Sequence, residues 1–258
     1  MTQNHGGSFL SEAQLPFGSL DLSGDEVIPR TEAKAPSYLR DHRQRLRERF
    51  MRGGAAAMPD YELLELVLFR AIPRQDVKPL AHLLLETFGD FNAVVSAPVA
   101  QLTKIKGVGD TVICELKIVE ATAQRLARAR ILRKHVISSW DAVLDYCHTV
   151  MAHRDTEQFR ILFLDRKNVL IADEEQARGT IDHVPVYPRE VVKRALEMNA
   201  SALILVHNHP SGDPTPSTQD IQMTKQIGMA AAALGIELHD HLIIGRSREL
   251  SFRSEGLL

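Results

Sequence analysis

Only two cysteines, Cys114 and Cys147, occur in the 258 residues, far apart and in no CxxC pair. A disulfide scaffold and a thiolate zinc site are both excluded, and a reduced, cytoplasmic enzyme fits. Long apolar runs are missing too. Stretches such as Ala202 to Val206 and Met229 to Leu234 fall far short of the roughly 20 residues that a membrane helix needs, so no membrane partner is expected. Met1 to Ser8 has neither a basic n-region nor an apolar h-region, and no secretory signal is read there. Neither sign of charge dominates: the formal net charge is -2 and the pI about 6.6. That excludes a globally basic nucleic-acid coat but leaves local basic patches open. What remains is a chain that is 44% apolar and 25% charged, long enough for one large or two modest domains with a real core. It holds 11 histidines, so any metal must sit on histidine and carboxylate.

Residues 1–36 are rich in glycine, proline and acidic charge with little apolar periodicity, and read as a disordered tail. From Ser37 the composition changes. Arginines 40, 43, 45, 47, 49 and 52 crowd one helix that Gly53 and Gly54 stop. Pro59 and Asp60 open a second helix with Leu63, Leu64, Val67 and Leu68 at helical spacing. A third covers Val77 to Phe88, with Leu80, Leu83, Leu84 and Phe88 inward, and a short one begins in Ala97 to Leu102. A long helix then runs to about Leu132, so 37–133 is predicted to be an all-α module. Beyond it, helix follows Ser138 or Ser139, and Phe159–Leu164 and Val169–Asp173 form a hairpin around Asp165-Arg166-Lys167-Asn168. Pro188 starts a helix with Val191, Val192, Ala195 and Leu196 on one side. Ala202–Val206 is a strand covered on both faces, Thr218–Leu234 a helix, and Ile236–Ile244 a strand again. Residues 136–258 are thus an α/β sandwich around one mixed sheet.

The chemistry concentrates in His207-Asn208-His209-Pro210 and the segment that follows, up to Asp220. Side chains repeat every two residues in a strand, so His207 and His209 project from one face. Pro210, Gly212, Pro214 and Pro216 turn the chain, Ser217 caps the next helix, and Asp220 falls in its first turn. Two imidazoles and a carboxylate can then converge, a set suited to zinc with a fourth position open to water. Taken separately, Ser-x-x-Asp is an ordinary capping box and His-x-His a polar strand end. A second His-x-His, His239-Asp240-His241, has no loop returning another ligand, and suits packing or support of the first pair.

The combined spacing resembles the JAMM (MPN+/JAB) metalloprotease motif, Glu…His-x-His-Pro-x6-Ser-x-x-Asp, at every position from His207 to Asp220. The segments Arg178–Ala195, Val206–Asp213 and Pro59–Leu66 are similar to the RadC branch of that superfamily, over about Ser37 to Phe252. The resemblance implies a JAB/MPN, cytidine-deaminase-like sandwich with one zinc per chain on His207, His209 and Asp220. It implies Ser217 as the stabiliser of the oxyanion and an upstream glutamate as general base, which Glu157 fits at the head of the first strand. Glu174, Glu175 and Glu190 are rivals better read as surface or helix-dipole charges. The activity implied is hydrolysis of a peptide or isopeptide bond in a protein or peptide substrate.

Leu102-Thr103-Lys104-Ile105-Lys106-Gly107-Val108-Gly109 before a helix resembles a helix-hairpin-helix, which presents amides to phosphate without reading sequence. That makes Lys104, Lys106, Gly107 and Gly109 candidate DNA contacts, although Ile113 stands where many such motifs carry a small residue. The second reading is therefore a DNA-structure-binding repair or recombination accessory factor whose metal is only structural.

Overall fold

The computed structural model describes residues 37–178 and 186–258; the expected tail over 1–36 and the segment 179–185 lie outside the described residues. Six α-helices come first: α1 (Ser37–Gly53), α2 (Asp60–Ala71), α3 (Lys78–Phe88), α4 (Phe91–Ser96), α5 (Val99–Leu102) and α6 (Asp110–Ile131). They close over a core of Leu64, Leu68, Leu84, Val94, Leu102 and Leu116. Two carboxylates that apolar spacing does not reveal are also buried on α2. Glu62 pairs with Arg49, and Glu65 bonds His42 Nε2 at 2.9 Å. The crowded arginines of α1 thus serve the bundle in part: Arg43 donates to the carbonyls of Ile72 and Gln75 just past α2, at 2.6 and 2.7 Å.

The helix α6 reaches from this core to a second one. At a rise of 1.5 Å per residue its 22 residues span about 33 Å. Its last residue, Ile131, is buried against α7 (Trp140–Met151) and the sheet. The sheet has β1 (Gln158–Leu164), β2 (Leu170–Arg178), β3 (Ala202–Asn208), β4 (Glu237–Ile244) and β5 (Glu249–Ser251), in the order β2-β1-β3-β4-β5. β3 and β4 are parallel and the other pairs antiparallel. The parallel step needs a crossover, which α9 (Thr218–Ala232) supplies. With α8 (Pro188–Glu197) the result is an α/β sandwich around one mixed sheet, beside a helical region.

Strand alternation sorts the core into two layers. Leu162, Leu164, Ala202, Ile204 and Val206 meet Val143, Cys147 and Met151 of α7. Phe159, Ile161, Leu203 and Leu205 meet Val192 and Ala195 of α8 and Ile227 and Ala231 of α9. Every residue of β3 is buried, as its continuous apolar run requires. Two expected core positions are corrected: Leu83 is 40% and Leu196 52% exposed, because the helical period turns Leu83 away from the buried face of Ala81 and Leu84 and leaves Leu196 at the margin of that of Val191, Val192 and Ala195. β2 runs further than its apolar start predicts, since pairing with β1 carries the polar Glu174 and Glu175 along, with Gln176 at a bulge before Ala177. No helix among the described residues is long and apolar enough to cross a membrane.

Candidate metal centre

The alternation that places Leu203 and Leu205 on the α8–α9 side puts His207 there too, fully buried, with its ring stacked 6.3 Å from that of Phe159. His209 follows just past the strand, its N–H bonded to the carbonyl of Ile244 at the end of β4 (3.0 Å). The loop then turns through Gly212, whose φ of 86° favours glycine, and its N–H returns to the His209 carbonyl at 2.9 Å. Ser217 caps α9 in a full capping box: its Oγ accepts from the Asp220 N–H, and the Asp220 carboxylate accepts from the Ser217 N–H. The box therefore does not compete with a ligand role for Asp220; it aims the carboxylate. Oδ2 takes the Ser217 N–H (2.7 Å) and O–H (2.6 Å), leaving Oδ1 facing His207 Nε2 at 3.4 Å. One ligand atom from each of His207, His209 and Asp220 lies within 4.8 Å of the others, a group able to hold a metal ion.

Electrostatics follow from burial and proximity. Burial pushes His207 down to about 4, and nearby Asp220 only partly opposes it. His209 moves up, because the Asp220 carboxylate, the Asp213 carbonyl and the charge of Glu157 all favour its protonated form. Desolvation alone would raise Asp220, but His209, His207 and the Ser217 donors outweigh it and hold the carboxyl well below the usual range. These shifts keep the carboxylate ionised and His207 neutral at pH 7, the states in which both bind a cation.

Glu157 stands immediately before β1. Phe159 pairs with His207 across the antiparallel β1–β3 ladder, so alternation puts Glu157 on the same side of the sheet as His207, toward the end where His209 lies. Asn208, buried between the two histidines, holds this stretch: Oδ1 accepts from the Gln158 N–H (2.9 Å) and Nδ2 donates to the Thr156 carbonyl (3.2 Å). Among the rival carboxylates, Glu174 is bound by two nitrogens of Arg194, both at 2.6 Å, and Arg194 holds it below the ordinary range. Glu175 lies 3.7 Å from Arg160, and Glu190 3.2 Å from Arg189.

Sequence reasoning did not single out Asn208, although its place between two candidate ligands on a buried strand is itself a signal. The second histidine pair splits in two. His239 bonds Asn168 at 2.6 Å, away from the site, whereas His241 lies directly behind His207 with ring nitrogens 2.8 Å apart. Lys104 and Lys106 are exposed, and with Gly107 (φ 93°) and Gly109 they form the turn between α5 and α6, which is not part of the metal-site cluster. Asp110 in the first turn of α6 places a carboxylate beside that turn.

A mixed sheet between helices, with a His-x-His at one strand end and a helix-borne aspartate converging on it, defines a JAB domain of the JAMM/MPN class. Residues 137–257 match the family model described as the RadC-like JAB domain, and residues 40–114 that of the UPF0758 N-terminal domain. A UPF0758 protein of Ruegeria pomeroyi is 77% identical over 223 residues, 86% of this chain and 100% of that protein. Another from Rhodobacter capsulatus is 76% identical over 213 residues, 83% of this chain and 100% of that protein. The chain belongs to the RadC family, whose members carry the UPF0758 name.

Proposed function

We propose that this chain is a zinc-dependent hydrolase of the metallopeptidase type, cleaving a peptide or isopeptide bond in a protein or peptide substrate. One observation carries the reading. His209 Nδ1 faces the carbonyl of Asp213 at 2.8 Å and donates to it, so in the neutral, metal-binding form of the ring the lone pair is on Nε2. That Nε2 lies 3.0 Å from His207 Nε2, with the ionised Asp220 beside both. Such a cluster of electron pairs calls for a cation, and nitrogen with carboxylate oxygen is a donor set that suits zinc.

Zinc held there supplies a Lewis acid that polarises the attacked carbonyl and lowers a water's pKa to about 7. The chain's own residues do the rest. Glu157 accepts the proton of the attacking water and delivers it to the leaving amine, work worth typically about 10²–10⁴-fold. Ser217 stabilises the oxyanion through its hydroxyl, which in this structure is bonded to Asp220 and must turn to do so. Zinc content should be near one per chain in the wild type and lost in His207→Ala, His209→Ala and Asp220→Ala. With one isopeptide-linked peptide as substrate, Glu157→Gln should retain zinc and lose turnover, while Glu174→Gln, Glu175→Gln and Glu190→Gln retain both. Unchanged zinc in the ligand variants removes the site; zinc loss in Glu157→Gln makes that residue a ligand instead of a base. The DNA reading draws its support from the exposed Lys104 and Lys106 at the Gly107 turn.

A further inference from the structure

A buried chain of hydrogen bonds runs from the backbone of one candidate ligand to the ring of another. Thr224, one turn along α9 from Asp220, has its Oγ1 2.6 Å from the Asp220 carbonyl. The same Oγ1 lies 2.6 Å from His241 Nδ1. His241 Nε2 in turn lies 2.8 Å from His207 Nδ1, and Thr224, His241 and His207 are all fully buried. The ring of His241 is set between Phe252 and Phe159, with centroids at 4.6 and 5.9 Å.

Counting hydrogens fixes the direction of this chain. A carbonyl has none to give, and a threonine hydroxyl has one. If the hydroxyl turned to His241 Nδ1, two oxygens would face each other at 2.6 Å with no hydrogen between them, a repulsive contact in a dry interior. The hydroxyl therefore donates to the Asp220 carbonyl and accepts from His241 Nδ1. A neutral His241 is then left with a bare Nε2, which accepts from His207 Nδ1–H. His241 is fully buried between two phenylalanine rings, and its two nitrogens meet a hydroxyl and an imidazole, surroundings that hold a neutral ring. His207 consequently carries no hydrogen on Nε2, the atom that faces His209 and Asp220.

We infer that His241, oriented by Thr224, is a positioning residue that locks His207 in its Nδ1–H tautomer and so aims the Nε2 lone pair into the metal site. This rests on the metal-site reading only for its purpose; the tautomers stand on the hydrogen bonds alone. The reverse polarity would place a hydrogen on His207 Nε2 and block that atom from a metal. Because the chain starts at the Asp220 carbonyl, it also ties the first turn of α9 to β3 through β4, so two ligands are set by one device. A ligand histidine that donates its outer N–H to an oriented acceptor is a more basic and better aligned ligand, and losing such a partner typically costs about 10–100-fold in metal affinity.

The test combines two readouts on the full chain. Long-range ¹H–¹⁵N NMR of the metal-free wild type should show both His207 and His241 as Nδ1–H tautomers. Zinc affinity, from competition with a chromophoric chelator, should fall about 10–100-fold in Thr224→Val and in His241→Phe, while Thr224→Ser, which keeps the hydroxyl, stays near wild type. Thr224→Val, nearly isosteric, should also lose the single tautomer of His241. An Nε2–H tautomer at His207 in the wild type overturns the inference, with no variant required. So does Thr224→Val with wild-type tautomers and zinc affinity. A wild type that shows the stated tautomers yet binds no zinc upholds the relay and removes the metal reading instead.

Discussion

Asn208 is the side chain whose removal is expected to separate stability from metal binding most clearly. It is 1% exposed and spends both ends of its amide on the backbone flanking Glu157. In Asn208→Ala the Gln158 N–H, inside a buried residue at the head of β1, loses its acceptor. An orphaned buried donor costs about 1–3 kcal/mol, and the lost bond to the Thr156 carbonyl, whose oxygen can turn to water, about 0.5–1.5 kcal/mol more. The expected destabilisation is therefore about 1.5–4.5 kcal/mol, against a total of about 5–15 kcal/mol for a domain, so the variant should still fold. Asn208→Asp keeps an acceptor for Gln158 but sets a buried carboxylate oxygen against the Thr156 carbonyl, and should do no better than alanine. Urea unfolding of the metal-free proteins measures the cost, and amide exchange at Gln158, slow in the wild type and fast in Asn208→Ala, assigns it to the right bond. Zinc binding should survive, because neither contact touches His207, His209 or Asp220. A loss under about 0.5 kcal/mol, the range of an indifferent surface change, would refute the reasoning.

Gly245→Ala should be severe for a residue outside the cluster: an added Cβ would lie 2.8 Å from the Arg248 carbonyl and closer still to that of Gly212, in the loop that carries His209. Overpacking of this kind costs about 1–3 kcal/mol and should also weaken zinc, both readable by unfolding and chelator competition. The metal-free protein should lose stability as pH falls from about 6.5 toward 4. His207, held at about 4 when folded, takes up a proton more readily unfolded throughout that window and alone removes about 3 kcal/mol. His241 and His153 act in the same direction, and His209, raised, opposes them; stability unchanged between pH 7 and 4.5 would contradict the burial of these rings. If the helical region binds DNA, Lys104→Glu with Lys106→Glu should weaken a low-salt mobility shift equally for duplexes of different sequence. No shift with any duplex or branched DNA would leave the α5–α6 turn a structural element.

Local rules made the candidate ligands legible. His207 and His209 follow from the period of a strand, the loop from its prolines and Gly212, and Asp220 from the capping preference of Ser217. Each is a matter of neighbours in sequence, so the set could be read without a fold. The residues that tune it are set by strand register instead. His241 reaches His207 because β3 and β4 pair in parallel with Val206 opposite Leu242 and His207 opposite Ile243. Asn208 reaches Thr156 and Gln158 because β1 lies antiparallel with Phe159 opposite His207. No spacing rule gives those registers. Buried carboxylates escaped for a related reason: Glu62 and Glu65 look like the polar face of α2 until α1 brings Arg49 and His42 to them. Short elements such as α4 and β5 carry too few residues for a period to show, and both went unread.

Metal removal distinguishes a site that organises the fold from one that the fold organises. In a structural zinc site the ligands converge only because the metal holds them, and such domains unfold when it is chelated. Here the convergence has other causes. His207 sits in a strand buried on every residue, His209 is pinned to the carbonyls of Ile244 and Asp213, and Asp220 is held by the capping box of α9. His241 cannot complete a four-protein-ligand shell, since both of its nitrogens are engaged with His207 and Thr224. Among the described residues the group able to hold a metal ion is these three, and three protein ligands would leave a fourth position for water. Treatment with EDTA should accordingly leave the circular-dichroism spectrum and a cooperative unfolding transition in place. The stability lost should be no more than the binding linkage itself, about 2.7 kcal/mol at a zinc concentration a hundred times Kd. Collapse of the sheet on chelation would show that zinc, and not the capping box and the strand, assembles the site, and would favour a structural metal over a hydrolytic one.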